Sequence, residues 1–462
     1  MTTHAASVLI VRGASDAPEV LVIRRSRRAR FMSDFHAFPG GHAEPGDGEP
    51  GTDAALRQTA VRETFEEVGV TLDPQTLVHA GFWNTPAYLV TPLCTTFYLA
   101  PLPEGETPQL PPTDAELWDM AFRRPGEVLE AWTRGQVLLA PPTRHLLRVL
   151  QTHGLSAPER FSEAPEARGI PPRFAPIRRH VDLFPVLTPT LPPATHTNVY
   201  VLGDRRLCVI DPASTDPGQQ AELLAHLEAR VRAGARVEAI VLTHAHHDHS
   251  AGAPAIAAHF GVPILAHPDA LPGLPFAAAQ GVLPALRDGE LLAACDVPFE
   301  VMHTPGHAPG HCVFFCPEDR TVVAGDLVAG VGTILVDPDE GSMTQYLDSL
   351  ARVRARAPSA LLPAHGGVMG GASEKLTEYI DHRLWREGRV EAALAEGEAD
   401  LSTLVRRVYD DVAPHVWPIA VLSLRAHLAR LAELGRAYLA DPDAGRWAAV
   451  RADRLSGADA TR

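Results

Sequence analysis

Residues 243–249 read Thr-His-Ala-His-His-Asp-His, directly after the apolar run Ala239 to Leu242 and just before a small-residue helical stretch starting near Ser250. That order predicts a loop at the C-terminal end of a strand, where α/β proteins place their chemistry. His244, His246, Asp248 and His249 form the pattern H-x-H-x-D-H. Imidazole is the commonest zinc ligand and carboxylate oxygen a frequent companion, so these side chains can serve two neighbouring ions. Three more candidates, His307 in Thr-Pro-Gly-His, Asp326 in Ala-Gly-Asp and His365 in Pro-Ala-His-Gly, each follow an apolar strand-like run.

A chain of 462 residues is too long for one ordinary core, and about 150 residues per domain predicts two or three units. Strand-like runs at Ser7 to Val11 and Val20 to Ile23 and a helix from about Thr52 to Val68 belong to a first unit, 1–153. The stretch 154–178 is prolyl and aperiodic and reads as a linker. Runs at Asn198 to Leu202, Leu207 to Ile210 and Ala239 to Leu242 alternate with helical stretches such as Gln219 to Arg232, an α/β pattern over 179–370. From 371 to 462 strand signals stop, and helices are predicted near Ser373 to Ala395, Leu401 to Tyr409 and Ile419 to Leu434.

The second-half ligands together resemble the metallo-β-lactamase superfamily. The resemblance implies an αββα sandwich in which His244, His246 and His307 hold one ion, Asp248, His249 and His365 hold the other, and Asp326 bridges them. Zinc is the expected metal, with iron or manganese as alternatives because none of the ligands is soft. Water activated between the ions is the expected nucleophile, oriented by Asp248. Asp211, at the end of the Leu207 to Ile210 run, resembles the carboxylate that braces the histidine loop in that family. A plain strand cap is the alternative reading of Asp211.

A second pattern lies in the first unit: Arg62-Glu63-Thr64-Phe65-Glu66-Glu67-Val68-Gly69 fits R-E-x-x-E-E-x-G. At about 100° per residue Glu63, Glu66 and Glu67 share one helix face, with Val61, Phe65 and Val68 opposite. Carboxylates so close repel unless a cation joins them, and hard oxygen ligands ask for magnesium or manganese. With Phe38-Pro39-Gly40-Gly41 upstream, the box resembles Nudix hydrolases, which implies an α/β/α fold, metal held by Glu63, Glu66 and Glu67, catalysis by Glu66 and Glu67, and cleavage of nucleoside diphosphates linked to another group. Asp47 stands where the family has its first glutamate, at a longer interval from Arg62. Leu21, Arg25, Ser26, Arg30 and Phe38 further resemble the approach to the box in coenzyme A diphosphatases, with Asp34 in place of a glycine. That resemblance makes Arg25 and Arg30 candidates for binding the phosphates of coenzyme A.

Two readings of the whole stay open. One is a bifunctional hydrolase acting on small molecules, coenzyme A esters or nucleotide derivatives. The other keeps only the zinc site active, with the Nudix unit as a ligand-sensing module. Tyr379 to Arg383 and Ala426 to Leu431 resemble the winged-helix-like extension of β-lactamase-like endoribonucleases, which adds RNA as an alternative substrate, while Thr304 to His307 fits thioesterases of the glyoxalase II kind equally well. A net charge of -15 opposes broad attraction to nucleic acid. No run of eighteen apolar residues offers a membrane span, and five scattered cysteines with no CxxC pair predict a reducing, cytoplasmic setting.

Overall fold

The computed structural model describes residues 3–29, 32–86, 89, 93–110, 116–170 and 173–450. The first strand, Thr3–Ala14, is apolar on both faces. Ala6, Val8 and Ile10 pack with Leu56, Ala60 and Val68 of the helix Asp53–Val68, whereas Leu9 and Val11 pack with Leu146, Leu147 and Leu150 of the helix Pro141–His153. A strand greasy on both sides must lie inside, and here it pairs antiparallel with Ala17–Arg25 and parallel with Leu93–Pro101 in a sheet covered by helices on both faces. The helix Asp53–Val68 begins where Thr52 Oγ1 accepts the Ala55 N–H and ends at Gly69, whose φ of +68° only glycine adopts cheaply.

Two further sheets form a sandwich. One runs Ile264–Leu265, Arg236–Val241, Arg206–Ile210, His196–Leu202, Val181–Leu187, Ala175–Arg178, and the other runs Glu300–His303, Cys312–Phe315, Thr321–Gly325, Ala360–Pro363. Side chains alternate between layers as a period of two requires. Cys208 and Ile210 point between the sheets, with Phe314 and Val323 opposite, while Leu207 and Val209 point out under the helices Pro217–Arg232 and Ala253–Phe260. The outer face of the second sheet carries Val313, Phe315 and Val322 under Met343–Ala355 and Ala372–Ala395. The expected αββα sandwich is present, behind an α/β/α unit.

The prolyl stretch 154–178 is packed rather than loose. Phe161 and Ala167 are buried with Trp83, Trp132 and Leu150, and Ala175–Arg178 is the edge strand of the first sandwich sheet. The units are clamped there: Trp132 Nε1 donates to Ile177 O at 3.2 Å, and the buried Arg178 reaches Val137 O at 2.8 Å, Thr321 Oγ1 at 3.1 Å and Ser359 Oγ at 3.2 Å. Composition had suggested a tether because prolines interrupt any period, but a few apolar anchors suffice to dock it. Phe161→Ala is expected to cost about 3–5 kcal/mol of the N-terminal unit's stability, read from its denaturation midpoint. A change under about 0.5 kcal/mol, the range of an exposed site, would show that the stretch is loose in solution.

After Ala372–Ala395, the helices Leu401–Val408 and Trp417–Glu433 bury Val405, Leu424, Leu428 and Leu431 around Val390 and Leu394. Strand structure does not stop at 371: Ala399–Asp400, Arg446–Ala449 and Ala437–Asp441 make a small antiparallel sheet, the wing of a winged helix. Among the described residues no helix is long and apolar enough to cross a membrane.

Candidate metal centres

Parallel pairing brings the central site together. Arg206–Ile210 and Arg236–Val241 run side by side, so Asp211 and the histidine run leave the first sheet at the same edge. Thr321–Gly325 and Ala360–Pro363 do the same for Asp326 and His365 in the second sheet. Asn198 stitches the edges, its N–H donating to Ala364 O at 2.7 Å and Nδ2 to Pro363 O and Gly366 O at 2.9 and 2.8 Å. Gly325 has φ +48°, and a Cβ there would stand 2.7 Å from His311 Nε2, so the turn into Asp326 needs glycine.

The hydrogen-bond partners fix where each imidazole carries its proton. Thr243 Oγ1 donates to Asp211 Oδ2 at 2.6 Å and therefore accepts from His244 Nδ1 at 3.0 Å. His307 Nδ1 donates to Leu335 O at 2.7 Å, and His246 Nε2 donates to Glu340 Oε2 at 3.0 Å. The remaining atoms, His244 Nε2, His246 Nδ1 and His307 Nε2, are thus bare, and His246 Nδ1 lies 2.9 and 3.0 Å from the other two. Three lone pairs facing one another repel unless a cation sits among them.

A second convergence lies beside the first. His249 Nδ1 donates to Asp211 Oδ2 at 2.8 Å and His365 Nδ1 donates to His196 O at 2.9 Å, leaving both Nε2 atoms bare. These face Asp326 Oδ1 at 3.6 and 3.4 Å, and His365 Nε2 lies 3.6 Å from Asp248 Oδ2. The other oxygen of Asp326 lies 3.5 Å from His307 Nε2, so this carboxylate spans both groups. His249 Nε2 and Asp326 Oδ1 are buried without a hydrogen-bond partner, an arrangement that costs free energy until something positive fills the space. With no ion present, burial alone would lower the His249 pKa, but Asp326 and Asp211 raise it well above the usual imidazole value. His244, packed among other imidazoles, is held well below that value, by burial first. All seven predicted ligands of this site therefore gather in one place, and the donors fit a pair of divalent cations.

The other histidines have other tasks. His311, fully buried, accepts the Asp326 N–H on Nε2 at 3.0 Å and pairs with Thr304 Oγ1 through Nδ1 at 2.9 Å, so it positions the Asp326 backbone. His247 is exposed, and His303 stacks on His267 with centroids 3.9 Å apart. Glu340, 94 positions from His246, had no sequence signal. Asp211 is more than a strand cap: it also accepts the Thr243 N–H at 2.8 Å and has φ +49°. Asp211→Asn, which can no longer accept from both Thr243 and His249, is expected to weaken metal affinity about 10–100-fold in a competitive chelator titration. Unchanged affinity would reduce Asp211 to a packing role.

In the N-terminal unit the glutamates are arranged differently from the expectation. Arg62 joins Asp47 and two of the three glutamates: it pairs with Asp47 through Nε and Nη2, both at 3.0 Å, and with Glu63 at 3.0 Å and Glu66 at 2.9 Å. Asp47 is held down to about 2, first by the Arg62 hydrogen bonds. Glu67 is buried and accepts the Gly40 N–H at 2.8 Å, while Phe65, on the face opposite the glutamates, is 58% exposed. Among the described residues no trio containing these glutamates gathers within 4.8 Å as the histidine sets do. Glu63 and Glu67 nevertheless face one cavity of 440 Å³ with Arg25 and Glu116, and burial raises the Glu63 pKa despite Arg62, so a divalent cation fits there. The neighbouring Arg24 and Arg27 are engaged by Asp34 at 2.7 Å and Glu374 at 3.2 Å, and Arg30 lies outside the described residues.

Known proteins carry the same parts. Residues 192–365 match the family model of the Metallo-beta-lactamase superfamily, 1–140 that of the NUDIX domain, and 401–447 that of the Beta-lactamase associated winged helix domain. The Beta-lactamase-like protein 2 homolog of Drosophila melanogaster is 28% identical over 254 residues, 52% of this chain and 83% of that protein. An Atrochrysone carboxyl ACP thioesterase of Aspergillus chevalieri is 32% identical over 202 residues, 43% of this chain, which spans only 61% of that protein's length. A Beta-lactamase domain protein from Burkholderia ambifaria shares the fold, with a TM-score of 0.54 at 21% identity over 62% of this chain and 96% of that one. The chain is thus a metal-dependent hydrolase built from a NUDIX domain, a metallo-beta-lactamase superfamily domain and a beta-lactamase-associated winged helix domain, in that order.

Proposed function

We propose that the protein is a bifunctional hydrolase whose central domain holds two zinc ions and cleaves acyl thioesters, and whose NUDIX domain uses magnesium or manganese to split a nucleoside diphosphate of the coenzyme A class. The observation that carries the first half is the convergence of bare ring nitrogens on two adjacent places with Asp326 between them. His244, His246 and His307 would hold one ion and Asp248, His249 and His365 the other. Such a pair supplies an acidified water and polarises the carbonyl under attack. Asp248, partly open to solvent, accepts the water's proton and orients it. Each outer nitrogen is tied to a carbonyl, hydroxyl or carboxylate, which fixes the tautomer and turns the other nitrogen toward the ion it would hold. The thioesterase named among the relatives supports a thioester over other carbonyl centres.

In the NUDIX domain Glu63, Glu66 and Glu67 would hold the cation, and Arg25 at the same cavity contributes positive charge toward a diphosphate. We take the units as 1–153, 179–370 and 371–462, with 154–178 as the docked connection. The five free cysteines, four of them buried, agree with a reducing, cytoplasmic setting. The test is a product assay against coenzyme A esters, nucleotide sugars and short RNA with each centre disabled in turn. Thioester cleavage lost only with the central site, and diphosphate cleavage lost only with the glutamates, supports the reading. RNA cleavage far exceeding any thioesterase rate overturns the substrate class, and a NUDIX domain inert across the panel leaves it a ligand sensor.

A further inference from the structure

Two cavities open between the domains, and they share walls. The first, 440 Å³, has Glu63, Glu67 and Arg25 at one end. The second, 790 Å³, is bounded by Ala329 to Thr333 and Gly366 to Met369, the segments that leave Asp326 and His365, with Lys375 and Tyr379 of the helix Ala372–Ala395 beside them. Met32, Leu89, Ala140, Pro141 and Ala175 line both. Each volume is that of a small-molecule site. The second cavity also lies against the ligand-bearing turn: Gly330 N–H donates to His365 O at 2.7 Å, and Tyr379 fixes Ala329 by both its N–H and its C=O, each at 2.9 Å.

The lining changes character along its length. Carboxylates and an arginine stand at the NUDIX end, and the shared middle is apolar, with no charged side chain among the five common residues. A backbone-rich, glycyl wall lies at the far end, with His382 and with Lys375, whose ammonium pairs with Glu378 at 2.7 Å. A docked rather than tethered interface keeps these surfaces in one register.

We infer that the joined cavities form a single binding site for one elongated ligand, a nucleoside diphosphate carrying a long arm that ends in an acyl thioester, with the diphosphate at Glu63 and Glu67 and the arm between Met32, Leu89 and Ala140. This rests on the thioester and diphosphate reading above and adds that both reactions draw on one bound molecule. The apolar walls suit the arm's methylenes, and Arg25 and the cation held by the glutamates suit the diphosphate.

The experiment uses the full, metal-loaded chain and an acyl-coenzyme A analogue inert at both ends, with a thioether for the thioester and a methylene-bridged diphosphonate for the diphosphate. Titration calorimetry should find a single molecule per chain. That analogue should inhibit hydrolysis of a short N-acetylcysteamine thioester and of a short dinucleoside diphosphate with equal constants. Ala140→Trp should weaken binding about tenfold or more and raise both inhibition constants together. Leu89→Trp serves the same purpose if the first variant does not fold. Two molecules per chain, or inhibition of one reaction only, overturns the shared site while both short-probe activities leave the proposed functions standing. Failure of the wild type to cleave either short probe defeats that reading and this inference together.

Discussion

Asp326→Ala is expected to lose metal from both sides of the central site and to lower thioester hydrolysis by more than about 10²-fold, the upper end of what loss of an outer partner costs. The reason is positional. One of its oxygens lies 3.4 and 3.6 Å from the bare nitrogens of His365 and His249, and the other lies 3.5 Å from that of His307. Removing the side chain would leave imidazoles around the two proposed ions, with Asp248 as the one carboxylate of the proposed ligand set. Asp326→Asn separates charge from shape, because the amide keeps an acceptor but not the anion. It should fail nearly as badly. Metal analysis by mass spectrometry of the purified variants, with melting curves to show that they are folded, decides the matter. Wild-type metal content in Asp326→Ala would end the bridging assignment. Melting should also shift down on chelation of the wild-type protein, since ions that bind only the folded chain stabilise it.

How much of this was legible in advance differs from part to part, and the differences have physical causes. The clustered histidines and aspartates were legible because the segments that carry them follow apolar runs, and parallel pairing delivers strand ends such as those before His244, Asp326 and His365 to a common edge. Their partners were not. Leu335 O and His196 O are backbone atoms, which no residue pattern announces, and Glu340 comes from a loop with no period of its own. In the NUDIX box the helical period sets Phe65 on the face opposite the glutamates but does not say which face packs, and Phe65 is 58% exposed. In the fold Glu67 is buried instead, and its carboxylate accepts the Gly40 N–H at 2.8 Å. The wing escaped because strands of two to five residues offer too few alternations to register as a pattern. The pairing of Arg27 with Glu374 was invisible too, because 347 positions separate them in sequence.

The NUDIX glutamates carry the other large expected effect. Glu67→Gln should lower magnesium-dependent diphosphate cleavage by about 10²-fold or more, the scale of losing a positioned acid–base or metal-holding group, while leaving hydrolysis of a short thioester at the wild-type rate. The substitution is conservative where it matters for folding: Glu67 Oε2 accepts the Gly40 N–H at 2.8 Å, and a glutamine carbonyl can do the same. What it removes is charge facing the cavity. Glu63→Gln should act alike, with Arg62 still held by Asp47 through two contacts at 3.0 Å. Glu66→Gln is the test least coupled to packing, because that side chain is 56% exposed and its contact with Arg62 at 2.9 Å is a surface pair worth little to stability. All three should show restored rates, in part, at higher magnesium concentration if the glutamates hold the cation, and no such rescue if they only shape the cavity. Steady-state kinetics across a magnesium series makes the distinction. Full diphosphatase activity in Glu67→Gln would remove these residues from the chemistry and leave the NUDIX domain as a sensor for the ligand its cavity admits.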